Sequence, residues 1–229
     1  MNKILLAVSA HPDDVEFACG GTIFKFKQKG YQIYLIVATN GENGFKIGHK
    51  PRLERVKIRY KEQMKAAEML GIRKVYFFHY RDGYLKNDEK LRDRIAKIIK
   101  QVKPEIVFSF DPANRSFESV NLNHRDHRAI AEAAFDAVFA ARNRYMLPGK
   151  SHPVQKFYFF GTDKPNHFEN ITHFIKNKIE LIRKHRSQFS DQDIMEKWVK
   201  SNLSQYTKKY KYSERFRVVQ IIQPFKFIE

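Results

Sequence analysis

The chain has 229 residues, 42% hydrophobic and 30% charged, with 43 Lys and Arg against 25 Asp and Glu, for a formal net charge of +18. That length can bury one sizeable core, and the balance is too apolar for a disordered chain and too polar for a membrane protein. No apolar run approaches the ~18 residues that span a bilayer, and the single cysteine, Cys19, excludes an internal disulfide and accords with a cytoplasmic protein.

The N-terminus, "MNKILLAVSAH", mimics a signal peptide, but its apolar stretch is short and cleavage would leave His11 at the new terminus, so it reads as a strand. Similar apolar, β-branched and aromatic runs recur as "YQIYLIVAT", "KVYFFHY", "EIVFSFD" and "QKFYFFGT". Helical patterns lie between them. "GTIFKFKQKG" ends at Gly30, a fitting C-cap, and "RLERVKIRYKEQMKAAEMLG" spaces Val56, Tyr60, Met64, Ala67 and Leu70 as a helix that stops at Gly71. "DEKLRDRIAKIIKQV" puts Leu91, Ile95, Ile98 and Val102 on one face before Pro104. "HRDHRAIAEAAFDAVFAAR" and "ITHFIKNKIELIRKHRSQF" read as a fourth and a fifth helix. Strands alternating with helices predict an α/β fold, Rossmann-like, with a mostly parallel sheet and helices on both faces. One domain is expected over 1–229, motif-bearing over about 3–190, with a C-terminal extension over about 191–229. In that extension "RFRVVQIIQPF" reads as a late strand suited to a sheet edge. The basic residues are scattered among acids, and no recognised nucleic-acid motif accompanies them, so they read as a lysine-rich surface with no nucleic-acid partner.

Ligands of such sheets sit at the carboxyl ends of the strands. "HPDD" follows the first strand, "TNGENG" the second, "HYRDG" the third and "DPANRS" the fourth, so all four loops are expected to open on one crevice. In "HPDD" two adjacent carboxylates beside an imidazole repel one another unless something compensates, and a metal ion would. The other half of such a site is "NLNHRDHRAI". His124 and His127, three apart at a helix start, project from one face, with Asn123 placed to be the N-cap and Asp126 in the favourable first turn. Two imidazoles, a carboxylate and one open position make a catalytic zinc shell. Either cluster alone has an ordinary explanation, a turn or a solvated helix face; both at one end of one sheet point to a site. The "TNGENG" loop lacks the Gly-x-Gly-x-x-Gly spacing, so no dinucleotide cofactor is expected.

In order, "AHPDD", "GGTI", "TNGE", Arg59 with Glu62 and "AEMLG", "HRDH" and "KHRSQ" resemble the LmbE/PIG-L family of zinc-dependent N-deacetylases. Members of that family remove the acetyl group from N-acetylglucosamine-type substrates. The resemblance implies a Zn2+ held by His11, Asp14 and His127, with Asp13 as the base that takes a proton from water. It implies that His124 stabilises the oxyanion, and that Asp126 orients a histidine. Arg59 and Asp82, and more weakly Glu42, would meet the sugar, and the chain would form a homo-oligomer. Spacing alone leaves open which of Asp13 and Asp14 faces the metal. Asn40 stands where the family often has aspartate and Arg125 where it often has proline, which bears on substrate preference.

Two other readings stand beside this one. Another metal-dependent amidase or phosphoesterase could use the same shell, and metal content with acetate release separates them. A basic nucleic-acid-binding module would show salt-sensitive binding without a metal requirement. Cys19 reads as a small buried hydrophobe and His185 as structural, while His49, His152, His167 and His173 carry no assignment. Trp198 and "YTKKYKY" suit packing, subunit contact or a ligand platform equally.

Overall fold

The computed structural model describes residues 3–117, 119–120 and 122–221. Strands β1 (Ile4–Ser9), β2 (Gln32–Thr39), β3 (Lys74–Tyr80), β4 (Ile106–Phe110) and β5 (Lys156–Phe160) are parallel, in the spatial order β3-β2-β1-β4-β5. Beyond β5 the sheet turns antiparallel: β7 (Ser213–Gln220) pairs with β5 and carries β6 (His167–Asn170) on its outer side. Both β1 and β4 are buried along their whole length, as central parallel strands covered on two faces must be.

Six helices cover the sheet: α1 (Asp14–Gln28), α2 (Arg52–Leu70), α3 (Glu89–Val102), α4 (Arg125–Arg142), α5 (Ile175–Ile182) and α6 (Gln192–Ser204). Helix α1 packs against α2 and α5, and α3 packs against α4. Right-handed crossovers place the connections from β1 to β2 and from β3 to β4 on opposite faces of the sheet. The order therefore reverses between β1 and β4, and the crevice outside their carboxyl ends is where such a sheet takes a ligand. No helix among the described residues is long and apolar enough to cross a membrane.

Helix α1 is locked to its neighbours at Gly20 and Gly21. A Cβ at Gly21 would sit 2.9 Å from the Ile171 side chain, and one at Gly20 2.7 Å from Leu181 of α5, so the two glycines leave room for the chain before α5 and for α5 itself. Beside them lies a fully buried ion pair, Lys178 Nζ to Glu214 Oε1 at 2.5 Å. The Glu214 carboxylate accepts the N–H groups of Gly21 (3.0 Å) and Thr22 (2.7 Å), and Lys178 donates to the carbonyls of Glu16 (3.2 Å) and Phe17 (2.5 Å). Gly21 N–H and Phe17 C=O, ordinary partners along a helix, thus each engage a side chain from outside it.

Several expectations need correction. In α2 the apolar spacing misplaced the inner face: Tyr60 and Met64 are 45% and 41% exposed, and the buried residues are Arg59, Glu62, Gln63, Ala66, Ala67 and Leu70. The polar ones face inward because they serve the crevice. The fifth helix is only Ile175–Ile182, between single 3-10 turns at Thr172–Phe174 and Arg186–Gln188. It cannot run on because Glu62 takes the N–H of Ser187 at 2.7 Å. Residues 192–220 are no appendage: they form α6 and β7, and β7 lies inside the sheet, the edge being the unforeseen β6. The part of the expected late strand after residue 221 lies outside the described residues.

Candidate active site

The crevice is built first by the turn after β1. Asp14 opens α1, and its Oδ2 reaches back to accept the N–H groups of Ala10 (2.9 Å) and His11 (2.7 Å). The turn forces Asp13 to φ +99°, a left-handed conformation that costs an L-residue about 1–3 kcal/mol. Asp13 is held there from α2: Gln63 Oε1 accepts its N–H at 3.1 Å, and Arg59 Nη1 donates to its Oδ2 at 3.2 Å.

Helix α4 supplies the opposite wall. His127 Nδ1 donates to the Leu122 carbonyl at 2.9 Å, which fixes the tautomer and leaves the Nε2 lone pair free, while its ring stacks on Phe110 at 3.9 Å between centroids. That Nε2 lies 3.2 Å from His11 Nδ1 and 3.2 Å from Asp14 Oδ1, and His11 Nδ1 lies 3.5 Å from Asp14 Oδ2. The corners of a tetrahedron with bonds of about 2.0–2.1 Å are about 3.3 Å apart, so these donors are spaced as ligands of one small cation. The other nitrogen of His11, Nε2, faces Asp82 Oδ1 (3.2 Å) and Asp126 Oδ2 (3.3 Å), as an imidazole does whose other nitrogen meets a metal. Asp126 is wholly buried and also accepts the N–H groups of Gly83 (2.7 Å) and Leu85 (3.0 Å), while Asp82 accepts that of Asn43 (2.8 Å). Two further groupings of donor atoms fall within 4.8 Å among the described residues, His11 with His124 and His127, and His11 with Asp82 and Asp126. The residues present fit a divalent metal.

His124 corrects one detail of the sequence reading. It is itself the N-cap of α4, its Nδ1 accepting the Asp126 N–H at 3.2 Å, whereas the Asn123 amide is spent on the Ser116 carbonyl at 2.8 Å. With Nδ1 an acceptor, the neutral ring carries its proton on Nε2. Burial, then the neighbouring His127 and His11, push its pKa down to about 4, so the ring is a neutral donor at pH 7.

The carboxylates are driven apart. Burial raises the Asp13 pKa above the usual carboxylate range despite the Arg59 guanidinium. Asp14 is equally buried, but His127 and His11 outweigh that and hold it well below the range. Burial works against charge on His11, yet Asp14, Asp126 and Asp82 raise its pKa well above the ordinary value. One carboxyl with raised proton affinity beside one kept ionised suits a division between base and ligand.

A cavity of about 810 Å³ opens over the cluster, lined by His11, Asp13, Asp14, Asp82, His124 and His127. Arg59 also borders it, although it is 1% exposed and otherwise occupied with Asp13 and the Pro12 carbonyl. Glu42, expected at the sugar, does not line the cavity: one oxygen takes Arg52 Nε (2.9 Å) and the other the Asp82 N–H (3.4 Å). Its effect is to set Asp82. Gln63 and Phe110 were missed because neither belongs to a run of chemically reactive types. Trp198, Asn202 and Tyr206 form an outer wall from α6 and the turn after it; the sequence leaves Trp198 and the segment starting at Tyr206 open as a ligand platform, and the spacing of four is the signal that could have added Asn202.

A family model described as PIG-L, GlcNAc-PI de-N-acetylase, matches residues 6–138. A diacetylchitobiose deacetylase of Thermococcus kodakarensis is 30% identical over 202 residues, covering 86% of this chain and 73% of that protein. A 4-oxalmesaconate hydratase of Pseudomonas putida is 32% identical over 139 residues, covering 57% of this chain and 54% of that one. Among solved structures, an inhibitor complex of the N,N'-diacetylchitobiose deacetylase from Pyrococcus horikoshii superposes with a TM-score of 0.86 at 31% identity, covering 98% of this chain and 88% of that one.

Proposed function

The chain belongs to the PIG-L family of GlcNAc-PI de-N-acetylases, and from that membership we propose a zinc-dependent hydrolase that removes the acetyl group from an N-acetylglucosamine-type sugar or its conjugate. The observation that carries the reading is the convergence of His11 Nδ1, Asp14 and His127 Nε2 at 3.2–3.5 Å, beside an aspartate that touches neither imidazole. Those three residues would hold the ion. When bound, zinc supplies Lewis-acid polarisation of an acyl oxygen and a lowered pKa for water.

The residues around it have separable tasks. Asp13, with its raised proton affinity, takes the proton of the attacking water and later returns it to the leaving amine. His124, neutral and protonated on Nε2, donates to the tetrahedral oxyanion. Asp126 holds His11 through Nε2, so that Nδ1 keeps its aim. Asp82 and Arg59 border the cavity where hydroxyl groups of a sugar would lie, Arg59 also serving Asp13. The diacetylchitobiose deacetylases among the relatives support an N-acetylated amino sugar as substrate.

The test combines elemental analysis with an acetate-release screen over N-acetylglucosamine, its β-linked dimer and its conjugates, with and without chelator. About one divalent ion per chain and chelator-sensitive acetate release are expected. A chain that hydrates 4-oxalmesaconate and releases no acetate would side with the hydratase relative and overturn the proposal.

A further inference from the structure

One motif of the sequence, "KHRSQ", is left without a task by this chemistry. Its histidine, His185, is 0% exposed, and neither ring nitrogen has a hydrogen-bond partner among the described residues. The same is true of one oxygen of a second fully buried side chain, Glu16 Oε2, and these two unpartnered groups face each other at 3.7 Å. Buried polar atoms are rarely left without compensation, and here the two lie opposite one another.

The pairing leads to Asp13. The other oxygen of Glu16 accepts Gln63 Nε2 at 2.7 Å. A carboxylate can face only the NH2 end of an amide, so Glu16 dictates the sense of Gln63 and turns its Oε1 the opposite way. That oxygen accepts the Asp13 N–H. The bond matters because Asp13 sits at φ +99°, a conformation that must be held from outside. Gln63 grips the backbone of Asp13 and Arg59, one turn earlier on α2, grips its carboxylate. The segment carrying His185 is clamped to the same helix, since Ser187 N and Oγ donate to Glu62 Oε1 (2.7 Å) and Oε2 (2.6 Å).

We infer that His185 is a positioning residue for Asp13, acting through Glu16 and Gln63 to keep the strained turn of the base in its working conformation. This rests on the proposed role of Asp13. Without the imidazole, Glu16 turns away, the Gln63 amide loses its enforced sense, and the Asp13 backbone loses its acceptor. The metal cluster, held by different bonds, stays.

The test replaces His185 by Phe, which keeps the ring and removes both nitrogens, and by Gln, which restores a donor. Four quantities are measured: metal content, kcat and KM for the N-acetylated sugar that the wild type hydrolyses, and amide hydrogen exchange in the 15N-labelled protein. For His185→Phe, metal content is unchanged and KM stays within about twofold, while kcat falls about 10- to 100-fold, the cost of a small misplacement. Exchange of the Asp13 amide rises by about tenfold or more while Leu6 and Val8 of β1 keep their protection. His185→Gln recovers most of both effects. In an Asp13→Asn background, His185→Phe changes turnover by less than about twofold, because the residue it positions is already disabled. Unchanged Asp13 exchange, equal loss of protection across β1, or a full additional loss in the Asp13→Asn background would each overturn the inference. Where His185→Phe does not fold, Glu16→Met, which deletes the carboxylate linking His185 to Gln63, takes its place. If the wild type deacetylates nothing, the proposed function fails, whereas the exchange measurement still decides whether His185 holds the Asp13 turn.

Discussion

Replacing His124 by Asn and by Ala separates its cap from the donor role proposed for it. Its Nδ1 caps α4 by accepting the Asp126 N–H, and the ring lines the cavity, where the proposal gives Nε2–H to the oxyanion. Asn is among the best N-cap residues, so His124→Asn keeps the cap and deletes the donor; Ala deletes both. A preorganised donor to an oxyanion is worth about 10²–10³ in turnover, or ~2.7–4 kcal/mol of transition-state stabilisation. The cap bond is 3.2 Å long, so its loss should cost stability near the typical ~1 kcal/mol rather than the upper limit. Turnover per bound metal should therefore fall by about 10²–10³ in both variants, with only the Ala variant losing roughly 1 kcal/mol in urea denaturation. A pH series adds a signature of opposite origin. The folded pKa of about 4 lies below the ordinary 6.5, so in the metal-free protein the unfolded chain takes up a proton that folded His124 refuses. Stability is lost on this account as the pH falls from 6.5 towards 4, and His124→Asn removes that component of the slope. Loss of metal in His124→Asn would refute the reasoning, because it would make His124 a ligand in the three-histidine grouping.

Further outcomes follow from the same geometry. Asp13→Asn should keep its metal and lose about 10²–10⁴ in turnover, whereas Asp14→Asn should lose metal; elemental analysis beside kinetics reveals any exchange of roles. Lys178→Met leaves Glu214 charged and buried, so denaturation should show a loss of about 3–5 kcal/mol, and a loss below about 1 kcal/mol would mean that the pair is not closed in solution. Asp111 is buried, which works against its charge, but the Arg217 guanidinium (2.7 and 2.5 Å) outweighs this and holds its carboxyl below the usual range. A depressed carboxyl pKa contributes stability above the usual carboxylate range that disappears as the pH falls through the folded value. Asp111→Asn should thus cost about 1–3 kcal/mol at pH 7, discounted toward the lower figure because Arg217 is partly solvated, with the gap to wild type closing in acid.

What could be read in the sequence divides along physical lines. Strands β1 and β4 were legible because a strand buried on both faces must be apolar throughout, and "ILLAVS" and "IVFSF" are, while the edge strand β3, only partly buried, showed itself by its aromatic run "VYFFHY". The crevice followed from topology, since loops after parallel strands share one end of the sheet. Helix α2 was misjudged because periodicity assumes that inner faces are apolar, and here Arg59, Glu62 and Gln63 are turned inward by the partners they serve. Strand β6 and helix α6 are short or polar, and their place depends on contacts with distant segments. His124 was read as part of the first turn of α4 and instead precedes it as the cap, because no local rule announces that an imidazole will cap its own helix.

The Glu214 carboxylate closes hydrogen bonds 193 and 192 residues away in the chain, on the N–H groups of Gly21 and Thr22. Contacts of such separation form late, because the entropy of closing the loop is lost before the bond repays it. The motif that carries Asp13 and Asp14 is made long before β7, yet Glu214 of β7 is what engages the middle of the helix that presents it. During synthesis α1 therefore lacks the carboxylate that engages these two donors until β7 has been made. A nascent chain stalled between residues 127 and 214 contains the full proposed set His11, Asp14 and His127 without the contact that anchors α1 to β7, so the ligands are made before the scaffold that seats them is closed.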